Sequence, residues 1–580
     1  MSVMTVLGAW AAPARGSRAV SQPEAGPAAI GTAPDTSVAA GAASAPLRIG
    51  AVSLERADIY TEEEIAGSSG FLRLLRRTMN GLHARTRERV IRQELLFAPG
   101  DRYEPALLAE TERNLRALGF LASVSVAAAD TQPGGAVDVD VLTREAWALK
   151  TEVSYSRSSA GAQRWSVLLS DNNFAGQGVQ LTLGAGQDED RRYKLLGYSS
   201  RRVFGSRWQV SLSFTDQSDG RSWTVQLQRP FYALADAWGL EAQAWDREIG
   251  LRWYVSNAGP LGRDPERDAS LYASLPSRER ALKVIGWRRV RGQSEGRVVR
   301  LGLGLEMRDL DYDLGATSFE LSDGRWADFA GLAGGSRPLA RREAASTSPL
   351  LALETVGRRW VTAGYLLQYG PVEDVPLDPW LRLQAGWGRR AWGAGFDAVH
   401  GQVNAGDWSR LAGGLAMVTM TGKASLGDPG ARQAWIDVNA GWMAEHGDGR
   451  LTRLFAEGAL GDRLGGDEAF LLGLNRGLRT LEFDGMAGDR LARWSVEEGL
   501  RLPVEVLGFY KLGAAVFYGG GLAHWRDEPR SLSDARHEAG LGVRLGSLRS
   551  ARADVVRLDV AWALDGAAGP VFTAVTGGLF

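Results

Sequence analysis

The chain has 580 residues, a formal net charge of −1, 44% hydrophobic and 23% charged residues, and no cysteine. That length would ordinarily divide into several soluble domains, the near-zero charge offers no field to draw in nucleic acid, and the absence of Cys excludes a disulfide framework and thiolate metal sites. No apolar run approaches the roughly 18 to 20 residues that a spanning helix needs, so passage through a membrane would have to be by strands.

In chain order, Met1 to Ala14 (MSVMTVLGAWAAPA) is a short apolar segment with small residues at Ala9 and Ala11, where a signal peptidase could cut. It lacks a basic n-region, which leaves open a misassigned start or a plain linker. Residues 15–46 are rich in Ala, Gly, Ser and Pro without periodicity and are expected to form a disordered linker.

A compact α+β module is expected over 47–146. Ile49, Val52 and Leu54 supply a first strand whose irregular alternation needs a bulge or a late start. Thr86 to Leu96 and Glu104 to Leu118 read as amphipathic helices, with Val90, Ile91 and Leu95 on one face of the first and Leu108, Leu115 and Leu118 on one face of the second. Pro105 suits a first helical turn, Gly119 a helix exit, and Pro99-Gly100 the turn between. Val124 and Val126, then Val137, Val139 and Val141, mark two half-buried strands that the helices can cover. Residues 58–82 read as an insertion between the first strand and the first helix.

From 150 to 580 the pattern changes to alternating segments separated by polar, Gly-rich or Pro-containing turns. Trp208 to Phe214, Trp223 to Gln228 and Leu301 to Arg308 each have one large apolar face and one polar or Gly face. With 73 Gly and 20 Trp, no helical interruption and no continuous apolar strand for a buried sheet centre, a closed transmembrane antiparallel β-barrel of about 16 strands is expected. Closure is obligatory, because an open edge in lipid leaves backbone groups without partners.

Two sets of residues carry a resemblance. Val90-Ile91-Arg92-Gln93-Glu94-Leu95-Leu96-Phe97-Ala98-Pro99-Gly100-Asp101-Arg102-Tyr103, followed by Glu112 to Phe120, resembles a POTRA (polypeptide-transport-associated) domain. Gly473-Leu474-Asn475-Arg476-Gly477-Leu478 with Gly488-Asp489, then Leu500 to Pro503, Ala515 to Gly521, Gly540 to Leu545 and Val556 to Trp562, resembles the C-terminal part of BamA/TamA-type barrels. Asp171 to Gly178 is similar to that superfamily's first-hairpin signature, and the terminal Phe580 to its sorting signal. The resemblance implies bacterial outer-membrane localisation, with the N-terminal domain in the periplasm and a long loop folded into the barrel through Arg476 and Gly477.

A lumenal guanidinium needs a carboxylate. The superfamily's acidic residue is replaced here by Gly519, so Glu497, Glu498 or Asp559 is expected to substitute.

The five His residues (His83, His400, His446, His524 and His537) lack metal-ligand spacing, and neither a nucleophile elbow nor a phosphate-cradling loop is present. No enzyme activity, metal or cofactor is expected. The expected function is outer-membrane protein assembly or translocation. Its partners would be outer-membrane lipid, unfolded or extended polypeptide clients and accessory envelope proteins. A passive pore or structural barrel of the same fold is the alternative. A two-partner secretion translocator fits less well, since one POTRA unit is found where such families usually show two.

Overall fold

A computed structural model of the chain describes residues 47–577 except 133–134, 159–160, 189–190, 256–269, 292–296, 313–317, 323–325, 329–345, 364–372, 395–396, 428–432, 475, 551–554 and 567–568. The signal and linker segments, Asn475 and Phe580 lie outside the described residues.

The N-terminal module contains strands β1 (Arg48–Ala57), β2 (Leu121–Thr131) and β3 (Ala136–Glu145), in sheet order β1-β3-β2. β3 is central, parallel to β1 and antiparallel to β2. A register shift between Ile49 and Val52 is the bulge that lets an irregular apolar pattern serve one face. Ile49, Val124, Val126, Val139 and Val141 pack against Val90, Ile91, Leu108 and Leu115 from the helices.

Four helices accompany the sheet: α1 (Glu62–Ala66), α2 (Gly70–Leu82), α3 (Glu88–Arg92) and α4 (Pro105–Arg116). The helix expected over 86–96 is only five residues long. Beyond Arg92 the chain tightens into turns, with Glu94 N donating to Ile91 O at 3.0 Å and Leu95 N to Arg92 O at 3.3 Å, and Leu96 N–H donates to the Thr111 hydroxyl on α4 at 3.2 Å. The inserted region contributes α1 and α2 and its own small core of Ile59, Tyr60, Ile65 and Met79.

The second body is a closed antiparallel barrel of twenty strands, from Leu149–Arg157 to Val571–Gly577. The expectation of about 16 is therefore corrected. Successive strands are joined in order, so alternate connections fall on the same rim. The rim that holds the N-terminal module is called the near rim and the other the far rim.

Side chains such as Leu303, Leu351, Val418, Leu454 and Leu541 point outward and are exposed. Their alternation partners, including Lys423, Arg453 and Arg544, face the lumen. Among the described residues, the first and last strands meet through two register pairs, Thr573↔Ser156 and Ala574↔Tyr155. The first strand pairs with the second through nine.

The module lies across the near mouth and touches widely separated turns. Arg202 Nε donates to Glu94 at 2.6 Å, Asn114 Nδ2 to Tyr232 O at 2.9 Å, Leu234 N to Glu110 at 2.8 Å and Arg549 Nη2 to Glu64 at 2.9 Å. The first near-rim turn shows what this closeness requires. Asn173 Nδ2 donates to the Thr86 hydroxyl at 2.8 Å and Arg87 N to Gly176 O at 2.9 Å. Gly176 has φ +71°, and a Cβ there would lie 2.1 Å from Arg85 O. Its glycine is demanded by both conformation and contact.

Candidate functional site: a lumen closed from both ends

The long far-rim connection between the strands Arg450–Asp462 and Arg490–Val506 folds into the barrel. It carries a short hairpin, Phe470–Leu472 with Met486–Gly488, and its Leu472, Leu478, Leu481 and Met486 are buried against wall residues Ala459, Leu491 and Leu522. Apolar packing places the loop, and charge fixes it.

Arg476 pairs with Asp484 at 2.6 Å, within the loop itself. Asp484 is buried, accepts the Tyr254 hydroxyl at 2.5 Å and lies 3.3 Å from Arg252. The loop is thereby tied to the strand Trp238–Tyr254. Gly477 has φ +116°, and a Cβ there would stand 2.2 Å from Arg493 Cδ.

The direct hold on the opposite wall is made three residues further on, by Arg479. Glu538 accepts from Arg479 N at 2.6 Å, Arg479 Nη1 at 3.0 Å, Thr480 N at 3.0 Å and the Thr480 hydroxyl at 3.2 Å. Arg479 Nε also donates to Asp559 at 2.9 Å, and its guanidinium lies 3.9 Å from the Phe517 ring centre. Behind this contact, Arg544 bridges Asp559 and Glu497, the latter at 2.7 Å, while Arg453 reaches Glu497 at 2.8 Å. Arg453, Arg544 and Glu538 are wholly buried. Buried charges are tolerated when paired and hydrogen-bonded in this way, and removing one partner strands the other.

The sequence-selected residues thus divide. Glu497 and Asp559 belong to the lumenal network but are held by Arg544, Arg453 and Arg479, whereas Arg476 finds its carboxylate at Asp484. Glu498 cannot serve as a lumenal partner: the strand's alternation turns it to the face opposite Glu497, where it accepts the Thr452 hydroxyl at 2.6 Å. Glu538, which holds Arg479, is directly opposite Gly519 in register on the adjacent strand. Sequence reading passed over Glu538, Arg479 and Asp484. The visible signal was Glu538's place in alternation with Gly540 and Gly542, but its partner depends on a loop fold that periodicity does not encode.

The near mouth is closed differently. A hairpin of Trp360–Ala363 and Glu373–Pro376 inserts Val375, with Val361 and Ala363, among the lumen-facing Leu415, Met417, Met443 and Leu451. Asp374 on the same hairpin receives both Arg116 Nε at 2.9 Å and Arg116 Nη2 at 2.7 Å from α4 of the module. Both side chains are buried, and the bidentate geometry makes this pair directional as well as strong. Among the described residues, no group of His, Asp and Glu is placed to hold a metal ion.

A barrel that must be crossed by strands, closed on itself and fronted by an α+β module defines a class: the β-barrel membrane proteins with an N-terminal accessory domain. Residues 77–146 match the POTRA family, "Surface antigen variable number repeat", so the module in front of the barrel is POTRA-like.

Among solved structures the chain is similar to CdiB from Acinetobacter baumannii (10% identity, TM-score 0.44, 99% of this chain and 96% of that one covered). It is similar also to CdiB from Escherichia coli (12%, 0.44, 95% and 94%), and to BamA from Haemophilus ducreyi lacking POTRA domains 1–3 (12%, 0.39, 91% and 85%). No curated protein matches the chain.

Proposed function

We propose that the protein is a gated polypeptide-handling barrel of the outer membrane, with its POTRA domain in the periplasm, that assembles or translocates client chains. The observation carrying this reading is the pairing of a lumen occupied from both ends with a seam that has two register pairs among the described residues. A passive pore has no need of two anchored plugs. The weak seam is the natural place for a strand to be added or released, because separating it breaks few backbone hydrogen bonds.

Client capture begins at the POTRA sheet, by strand addition. The start of β1 is already covered, since Ile49 N donates to Asp101 O at 2.8 Å and Gly100 N to Ile49 O at 2.8 Å. That leaves β2 as the receiving edge. The outer loop and the periplasmic hairpin keep the lumen closed until a client arrives.

The test exploits the lack of Cys. Ser156→Cys with Thr573→Cys places a disulfide across the seam, in protein reconstituted with an unfolded barrel client. Assembly that stops on oxidation and returns on reduction is expected. Unchanged assembly in the oxidised form would remove the seam from the mechanism.

A further inference from the structure

The inserted helix α2 carries an exposed apolar stripe for which neither the POTRA sheet nor the barrel has a use. In the module, the three most exposed large hydrophobic side chains among the described residues are Leu82 (75%), Phe71 (67%) and Leu74 (65%), all on this helix. At 100° per residue, Phe71, Leu74, Thr78 and Leu82 fall on one stripe, and the exposed Arg77 borders it beside Leu74, while Arg73 lies further round the helix and donates to Ala66 O at 3.1 Å and Ser68 O at 3.0 Å. A basic amphipathic helix of this pattern suits the boundary between headgroups and acyl chains.

Position supplies the second observation. On the side of the stripe away from Arg77, Leu75 and Met79 pack in the cluster that includes Trp147 and Phe509. Phe509 belongs to the turn after the strand Arg490–Val506, whose final outward residues Val504, Val506 and Leu507 are themselves exposed apolar groups. A Cβ on Gly508 would lie 2.8 Å from Arg76 Nη2, so helix and turn are in close contact. The stripe therefore begins where the lipid-facing surface of the barrel ends.

We propose that α2 is a membrane-docking element: the Phe71–Leu74–Leu82 stripe enters the leaflet on the module's side of the barrel, and Arg77 meets anionic lipid headgroups. The docking fixes the module against the rim from outside, independently of any client, and does not rest on the transport reading.

The experiment uses the full chain in nanodiscs of mixed zwitterionic and anionic phospholipid, with a polarity-sensitive fluorophore on Thr78→Cys, a stripe position that disturbs no packed side chain. A matched label on Arg89→Cys, exposed on α3, is the control. The Thr78 label is expected to be blue-shifted, quenched several-fold more by lipids spin-labelled near the headgroup than by aqueous iodide, and to lose part of that shielding with Arg77→Gln. The Arg89 label should behave as in water. A Thr78 label open to iodide and untouched by the lipid quencher would overturn the proposal. A label shielded from both would overturn it equally, because the stripe would then be covered by protein.

Discussion

The two plugs of the lumen are built from opposite materials. The far-rim loop is secured by a network in which Arg453, Arg479 and Arg544 alternate with Glu497, Glu538 and Asp559. The near-rim hairpin is held by Val375 and its apolar neighbours, with one bidentate ion pair to the module. A shared network spreads the loss of any one contact over several partners, whereas a single pair on an apolar seat can be released by one movement of the domain that holds it. The far plug is thus suited to permanence and the near plug to switching.

The largest effect that would sharpen this contrast is expected for Arg544→Ala. It leaves Glu497 and Asp559 buried without their shared guanidinium, at a cost of about 3 to 5 kcal/mol. The unfolding midpoint, read from the heat-induced mobility shift of the barrel, should fall markedly; an unchanged midpoint would show that the network is not structural.

Next in size, Arg116→Ala should raise the frequency of channel openings while leaving that midpoint nearly in place, since the latch joins the module to the hairpin and not strand to strand. The exchanged pair Arg116→Asp/Asp374→Arg should restore closure in part. No difference between the single and exchanged variants would break the assignment of a latch.

Gly477→Ala comes third. A side chain at φ +116° meeting Arg493 should cost about 1 to 3 kcal/mol, measurable as increased protease access to the far-rim loop. The smallest effect is expected for Gly519→Asp. A Cβ there has ordinary room, 3.5 Å from Leu478 and 3.6 Å from Glu538, but Arg479 is already engaged by Glu538. A carboxylate added there should therefore leave conductance essentially unchanged, and tighter closure would mean that Glu538 does not already satisfy Arg479.

The same contrast explains what could be read from sequence. Leu301 to Arg308 and Trp208 to Phe214 advertise a lipid face because large apolar residues alternate with Gly or polar ones. In Gly414–Gly427 the outward face includes Gly414, Ala416, Gly422 and Ala424, in Ala398–Leu411 it includes Asp407 and Ser409, and the connection is two residues long, so the alternation loses amplitude and strands merge in the count. The POTRA helices were legible from their apolar spacing and from Pro105, although α3 gives way to tight turns at Glu94 and Leu95 that apolar spacing does not distinguish from a further helical turn.

The lumenal site was legible only by composition. Charged residues alternating into a lumen can be recognised, but whether Asp559 meets Arg476 or Arg479 is decided by how the loop turns at Gly477. The hairpin at Trp360–Pro376 carries no periodic signal that distinguishes a plug from a turn.

The account's central claim is tested most directly by single-channel conductance in planar bilayers, comparing the wild type, Arg479→Ala, Arg116→Ala and the double variant. Two separately anchored plugs predict a wild type that is mostly closed, flickering openings in each single variant, and a much larger, longer-lived current in the double variant. A steady, large conductance in the wild type that none of these substitutions alters would contradict it and identify the protein as an open pore.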